Sequence, residues 1–429
     1  MKVNYDYYKG EDLYSDGEVE KEILEYVKNT PINKYNDVFL NDMRWPVFYH
    51  LTSIRQNMLN WYPFKNNSDI LEIGAGLGAM TGVLCKNAKT VTAVELSKQR
   101  ASVIEAKYQD FENLELIVGN LNDIKFDKKF DYITLIGVFE YANMFTNSEN
   151  PFDEFLCNIK KLLKDDGKIL IAIENQFGMK YFAGAVEDHT SIKYDGILGY
   201  ANKKGPMTFG KEQIKSILKR NNLDNIRFYY PLPDYKLPNV IFSDECLPTE
   251  DDIDNLYDVY YYDKTILNFD EKKAYKEVIK ENQFDFFSNS FFIECSKEPL
   301  EREIDFAVFN SKNEVDELYM ITKNSKGIFE KEKLDFDKKN KREVVEVNSI
   351  TNILKESIQT KSKENEKICE FFSNRYKTEK ENINELEVTA TKAINQCDML
   401  KDELEKIYHS RTWKYTGIIR KINRKLKSK

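Results

Sequence analysis

The sequence predicts an α/β chain built on a doubly wound, mostly parallel sheet. Two observations carry that reading. Short apolar runs alternate with amphipathic helical windows between Asp69 and Ile173, and the first run ends in a glycine-rich turn, Leu71-Glu-Ile-Gly-Ala-Gly-Leu-Gly78. The strand candidates are residues 70–73, 90–94, 114–118, 132–136 and 168–173, with helical windows at 79–86, 97–109 and 151–164 between them.

Around that core the chain divides further, since 429 residues exceed one ordinary domain. Residues 1–62 read as a helical cap rich in aromatics, with windows at 19–28 and 45–61. The core is placed at 63–180. A mixed acceptor-side subdomain follows at 181–297, with a proline-punctuated loop at 231–238, a helix at 271–280 and a strand at 290–295. Runs at 304–309, 317–322 and 327–331 make a small β-extension over 298–342. Residues 343–410 read as a coiled-coil helix, because Ile383, Leu386, Ala390, Ala393, Cys397, Leu400, Leu404 and Ile407 alternate in steps of three and four. Its small residues weaken that seam, Val347, Ile350 and Leu354 continue it loosely upstream, and a single helix packed on its own domain is the alternative. The seam predicts a homo-oligomer.

Charge is uneven. Net charge is −8, yet eight basic and no acidic residues lie in 411–429, so the remaining 56 basic residues face 72 acidic ones. That balance argues against general nucleic-acid binding. In the tail, Trp413, Ile418, Ile419, Ile422 and Leu426 recur at helical spacing among Lys and Arg, the pattern of a helix lying on an anionic membrane surface. A solvated basic helix or a segment docking on an acidic protein has the same pattern. Cys85, Cys157, Cys246, Cys295, Cys369 and Cys397 are scattered without a C-x-x-C pair, residues 1–14 lack a signal-peptide core, and no apolar stretch approaches the roughly 20 residues of a membrane span. A reducing cytoplasm is expected, with the tail at the inner face of the membrane.

The chemistry is expected at the carboxyl ends of the strands, the ligand crevice of open α/β sheets. Gly74 and Gly76 suit a tight turn against which a ligand lies on bare backbone, with Ala75 between them. Gly74, Gly76 and Ala79 also satisfy the dinucleotide pattern, so an NAD-dependent sugar enzyme is an alternative. Two features oppose it. Glu72 puts an anion where a cationic amino-acid ligand is welcome and a pyrophosphate is not, and Gly78 offers a third close approach one residue early. Glu95, followed by Leu96, ends the second strand at the place for a carboxylate that holds ribose hydroxyls. Asn120, or else Asp123, is placed to read an adenine edge, and Gly137 sits where the ligand's reactive end belongs.

The Glu-x-Gly-x-Gly-x-Gly loop, Glu95, residues 131–136 and the Leu162-Leu-Lys-Asp-Asp-Gly167 turn resemble class I, Rossmann-like methyltransferases over about residues 65–175. The cofactor that resemblance implies is S-adenosylmethionine. A narrower resemblance covers roughly residues 10–300. It rests on Trp45, Tyr49-His50-Leu51, the segment 172–189, Thr208-Phe-Gly210, the segment 229–238 and Ser288-Asn-Ser-Phe291. These are similar to bacterial methyltransferases, free-standing or fused to glycosyltransferases, associated with surface-polysaccharide assembly. Residues 410–416 resemble the tail after coiled coils in polysaccharide glycosyltransferases. The resemblance implies methyl transfer to a glycan or a precursor such as a lipid-linked sugar, alongside glycosyltransferase partners; its motifs do not fix the acceptor atom, and a sugar hydroxyl is the expected one. A non-catalytic scaffold with a vestigial cofactor fold is the alternative, opposed by the complete glycine loop.

A sugar hydroxyl needs a base near the oxygen that is methylated, and histidine suits that work at neutral pH. His189, in Glu187-Asp188-His189, is the first candidate and His50 the second, each with a purely structural role as its alternative; His409 belongs to the C-terminal helix. Three adjacent residues seldom converge on one ion, so Glu187, Asp188 and His189 are not expected to hold a metal.

Overall fold

The computed structural model describes residues 1–10, 12, 17–42, 44–146, 148–201, 203–256, 268–312, 317–334, 341–359, 388–406, 408–409 and 416. Among them one sheet of thirteen strands organises everything up to residue 345. The strands are β1 (Lys2–Tyr7), β2 (Asp69–Ile73), β3 (Thr90–Glu95), β4 (Leu114–Gly119), β5 (Phe130–Ile136), β6 (Leu163–Glu174), β7 (Asn225–Leu232), β8 (Val240–Ser243), β9 (Ser290–Ser296), β10 (Ile304–Lys312), β11 (Glu317–Asn324), β12 (Phe329–Leu334) and β13 (Glu343–Val345). Their order is β1-β4-β3-β2-β5-β6-β9-β7-β8-β10-β11-β12-β13.

The first six of that order run parallel, and β9 then joins β6 antiparallel. Strand order reverses between β2 and β5, which opens the crevice where such sheets bind ligands. Both faces are covered, and the strands alternate accordingly. On β6, Ile169, Ile171 and Ile173 enter one core with Phe152, Leu156 and Ile214; Leu170 and Ala172 enter the other with Val83, Ile104 and Tyr108. The doubly wound core is as expected.

Four expectations about the flanks change. Residues 1–62 are not wholly helical: β1 pairs with β4 at the sheet edge, and the aromatic window breaks into Trp45–Leu51, a 3-10 turn Ser53–Gln56 and Asn57–Asn60. Trp61 is fully buried against Tyr229 and Phe292, ring centroids 4.6 and 5.5 Å away, so the end of the cap is core rather than lid. The acceptor-side subdomain and the β-extension join the core in one sheet, because β7, β8 and β10–β13 continue it by antiparallel pairing. The helical stretch expected from 343 begins instead with β13 and a helix, Ile350–Gln359, whose Ile353 and Leu354 are buried in the core. Ile350 and Leu354 therefore serve packing and not a seam.

Contacts divide the chain into Met1–Phe371 and Phe372–Lys429. In the second unit residues 388–406 are helical with every side chain exposed, Leu400 and Leu404 at 58% and 51%. Ile383, Leu386, Ile407 and the basic tail, Thr416 apart, lie outside the described residues. Among the described residues no helix is long and apolar enough to cross a membrane.

Candidate active site

The carboxyl ends of β2, β3, β4, β5 and β6 border a cavity of about 700 Å³. Glu72, Gly74, Ala75, Gly76, Glu95, Leu96, Asn120, Gly137, His50 and His189 all line it. The sequence-predicted residues are thus gathered in one place, with two exceptions. Gly78 faces the helix Lys98–Tyr108: a Cβ there would meet the Tyr108 ring at 2.9 Å, and its carbonyl accepts from the Tyr108 hydroxyl at 2.7 Å. Its glycine serves helix packing rather than a ligand. Asp123 pairs with Lys9 at 2.6 Å and does not line the cavity.

The turn after β2 explains two glycines. Gly74 and Gly76 both hold positive φ, +71° and +58°. A Cβ at Gly74 would strike Val138 at 2.6 Å, whereas one at Gly76 would meet nothing within 4 Å, which leaves bare backbone beside open space. The Gly76 amide donates to Glu95 at 2.7 Å and the Ser97 amide donates to the same carboxylate at 2.9 Å. Two backbone donors thus aim Glu95, and each oxygen keeps a lone pair for a hydroxyl. The Asn120 side-chain oxygen accepts from the Asn122 amide at 3.0 Å, so part of that side chain caps a turn.

Glu72 is different. It is buried and, among the described residues, accepts only from Thr81 at 2.7 Å; burial pushes its carboxyl up to about 8, Glu95 adds to the rise, and Thr81 and Arg55 oppose it. Arg55, which the sequence reading did not single out, lines the same cavity with its guanidinium 3.8 Å above the Tyr49 ring and its Nε without a hydrogen bond. A carboxyl that can ionise and a cation therefore face one space. That pairing suits the ammonium and carboxylate of an amino-acid ligand. Nothing local marked Arg55, which reaches the cavity only through the fold.

The far end of the cavity holds a second cluster. Gly137 (φ +68°) ends β5, and a Cβ there would meet the Tyr235 hydroxyl at 2.9 Å and Glu140 at 3.6 Å. Glu140, on the turn after β5, and Glu174, at the end of β6, are both buried. Lys236 pairs with Glu174 at 2.8 Å and with Asp188; Lys180 pairs with Asp188 at 2.8 Å and with Asp234 at 3.4 Å. Burial disfavours charge on Glu174, but Lys236 and His189 outweigh it and hold its carboxyl well below the usual range. Glu140 lacks such a partner. Burial, with Glu174 adding, pushes it up to about 8.

The adjacent triplet 187–189 points three ways. Glu187 accepts from the His189 and Thr190 amides at 2.8 and 2.7 Å, Asp188 takes the two lysines and Tyr181, and His189 Nε2 faces Glu174 at 3.4 Å. His189 Nδ1 lies 3.2 Å from the Tyr141 hydroxyl. Burial lowers the imidazole pKa, but Glu174 and Glu140 outweigh that and raise it to about 9. The free base expected of His189 is therefore corrected: flanked by carboxylates, the ring holds its proton at neutral pH. His50 is buried edge-on to Tyr49 in Trp45–Leu51, and its carbonyl accepts from Lys107 at 3.1 Å.

Residues 71–171 match the methyltransferase domain family. This is a class I, S-adenosylmethionine-dependent methyltransferase domain. A ribosomal RNA small subunit methyltransferase A from Borrelia garinii subsp. bavariensis is 29% identical over 198 residues, 44% of this chain and 67% of that one. A solved putative methyltransferase, in complex with the Haloferax volcanii Trm112 methyltransferase activator, superposes with TM-score 0.37 at 14% identity, covering 65% and 98%. A Haemonchus contortus phosphoethanolamine N-methyltransferase bound to S-adenosylhomocysteine gives 0.36 at 17%, covering 65% and 60%.

The methyltransferase's residues fit this cofactor. Glu72 and Arg55 would hold its amino-acid end, Glu95 its ribose hydroxyls and Asn120 the adenine side, while the room at Gly76 admits its body. Bound there, S-adenosylmethionine supplies an electrophilic methyl group. An ammonium facing Glu72 favours the ionised carboxylate, so binding S-adenosylhomocysteine near pH 6.5, below the ligand amine's range, should release most of one proton. Calorimetry in buffers of different ionisation enthalpy measures this. Glu72→Gln should abolish the release and weaken binding by about 1–3 kcal/mol; an unchanged proton count would remove Glu72 from the cofactor site.

Proposed function

We propose that the enzyme methylates a hydroxyl of a surface glycan or of its sugar precursor. The observation that carries this reading is the acidic wall beside Gly137. Both oxygens of buried Glu140 and one of Glu174 have no hydrogen-bond partner, and both residues line the cavity. Sugar hydroxyls are donors that such oxygens accept. Outside the basic run at 411–429 the chain carries 56 basic residues against 72 acidic ones, which is not the charge balance of an RNA binder. The longer similarities to ribosomal RNA methyltransferases cover 44% and 54% of this chain at 29% and 27% identity, and the acceptor-end groups Glu174, Glu187, His189 and Lys236 lie outside the 71–171 domain match.

The segments with the narrower polysaccharide resemblance build that end. Residues 172–189 carry Glu174, Asp188 and His189, and residues 229–238 carry Tyr235 and Lys236. Asn289 and Ser290 brace them, accepting from the Lys180 and Tyr235 amides at 2.9 and 2.8 Å. In this reading Glu140 and Glu174 orient the acceptor and draw its hydroxyl proton away. His189, held as a cation, fixes both carboxylates, and His50 closes the cavity from the cap. Mass spectrometry tests it: with S-adenosylmethionine, the surface glycan or its precursor gains the mass of one CH₂, ribosomal RNA gains none, and Glu140→Gln lowers turnover about 10²–10⁴-fold. Methylation of RNA in place of glycan would overturn the reading.

The C-terminal sequence supports a place for this chemistry: self-association through the helix, contact with glycosyltransferases, and attachment of the basic tail to the inner membrane face. Truncation after Ser410 should abolish flotation with anionic vesicles and leave the oligomer and methyl transfer intact. High salt should weaken the lipid contact alone, since that contact is mainly charge attraction. A monomeric full-length protein that ignores the vesicles would contradict both claims.

A further inference from the structure

Within the cavity the polar groups of three residues converge without satisfying one another. One ligand-type atom each of Glu140, Glu174 and His189 lies within 4.8 Å of the other two. Glu140 is 1% exposed and Glu174 0%, and both oxygens of Glu140, Oε2 of Glu174 and Nε2 of His189 lack hydrogen-bond partners. Buried polar atoms are seldom left so, and four in one spot call for a group that the chain itself does not provide.

Charge says which kind. Lys180 and Lys236 are the ammonium groups at this end, and they face the carboxylates of Glu174, Asp188 and Asp234, with Glu140 close behind Lys236. The lysines take up Asp188 and Asp234, while Glu140 and Glu174 stand opposite the His189 ring, so a divalent cation bound among those three would take the place of the protons on Glu140 and His189. Geometry agrees. Ions that bind nitrogen and oxygen at about 2.0–2.2 Å set neighbouring ligands about 3.0–3.5 Å apart, and Glu174 Oε2 lies 3.4 Å from His189 Nε2. Closing the widest of the three pairs takes a side-chain movement of about 1 Å. The Tyr141 hydroxyl at His189 Nδ1 is the outer partner that fixes a ligating imidazole.

We propose that Glu140, Glu174 and His189 form a site for a divalent first-row cation, Mn²⁺ or Zn²⁺, whose open coordination positions face the acceptor end of the cavity. Two carboxylates and one imidazole suit ions that accept both oxygen and nitrogen donors, which favours Mn²⁺ and Zn²⁺ over Ca²⁺. All three residues line the cavity, so the ion has a path from solvent. An acceptor hydroxyl bound at an open position would be acidified by the cation. Binding of the ion itself needs no acceptor, and so stands apart from the glycan reading.

Metal-stripped full-length protein, titrated with MnCl₂ and with ZnCl₂ in a calorimeter, tests the site. The expected result is one equivalent per chain for at least one of the two ions, weakened at least about tenfold in both Glu140→Gln and His189→Ala. S-adenosylhomocysteine binding reports whether each variant is folded; if His189→Ala fails that control, Glu140→Gln alone decides. Absence of stoichiometric binding in the wild type, which leaves only a His189–Glu174 ion pair, overturns the proposal. So does a folded variant that binds as the wild type does. Methylation of glycan in the presence of chelator would leave the glycan reading standing without the metal.

Discussion

Buried negative charge governs this site. Glu72, Glu95 and Glu174 leave the carboxyl ends of β2, β3 and β6, Glu140 follows β5, and all four are almost without solvent exposure. A carboxylate moved out of water is costly unless it is paired, hydrogen-bonded or protonated. The four meet that demand differently. Among the described residues, Glu95 takes two backbone amides and Glu174 takes Lys236, whereas Glu72 has only a threonine hydroxyl and Glu140 has no hydrogen bond for either oxygen. The two carboxyls least provided for sit at opposite ends of the cavity, and both are pushed up to about 8 chiefly by burial. One stands beside the glycine turn, where the proposed cofactor ammonium would lie; the other stands beside Gly137, at the proposed acceptor end.

The flanking segments make this arrangement hold. A doubly wound sheet leaves its crevice open at the strand ends, and here the cap and the segment after β6 line it. Lys107 donates to the carbonyls of His50 and Leu77 at 3.1 and 2.9 Å, which ties the cap to the glycine turn; burial, with Arg55 adding, lowers its pKa to about 7. At the other end Lys180 and Lys236 remain charged because Asp188, with Asp234 and Glu174, outweighs the effect of their burial. The low solvent exposure of Glu72, Glu95, Glu140 and Glu174 makes the charges around them interact strongly.

Much of the cofactor half was legible in the sequence. The glycine turn, Glu72, Glu95 and Gly137 are local to strand ends, so periodicity and spacing located them. Gly78 misled for a local reason as well: its positive φ serves contact with Tyr108 on the neighbouring helix, and spacing alone does not separate backbone freed for a ligand from backbone freed for packing. The acceptor half was less legible. Glu140, Glu174, Lys236 and Arg55 come from four separate segments and meet only through tertiary structure. His189 was found by residue type, but the carboxylates that hold its proton were not. Among the strands, β1 was missed in a polar, acidic stretch and β7 in a run of aromatics and a proline. Ile350 and Leu354 were read as part of a helical seam because a buried helix face and a coiled-coil seam share one periodicity.

The central claim is that the cavity keeps Glu72 buried as an anion-in-waiting at a cost to the free protein. Its folded pKa lies above the unfolded value, so stability is lost as pH rises from the ordinary carboxyl range to about 8 and levels off beyond. The decisive measurement is chemical unfolding of cofactor-free wild type and Glu72→Gln across pH 5–8.5. The account predicts that the wild type loses more stability with rising pH than the variant, so that the two curves diverge up to about pH 8. Parallel curves, or a variant that loses more, would contradict it.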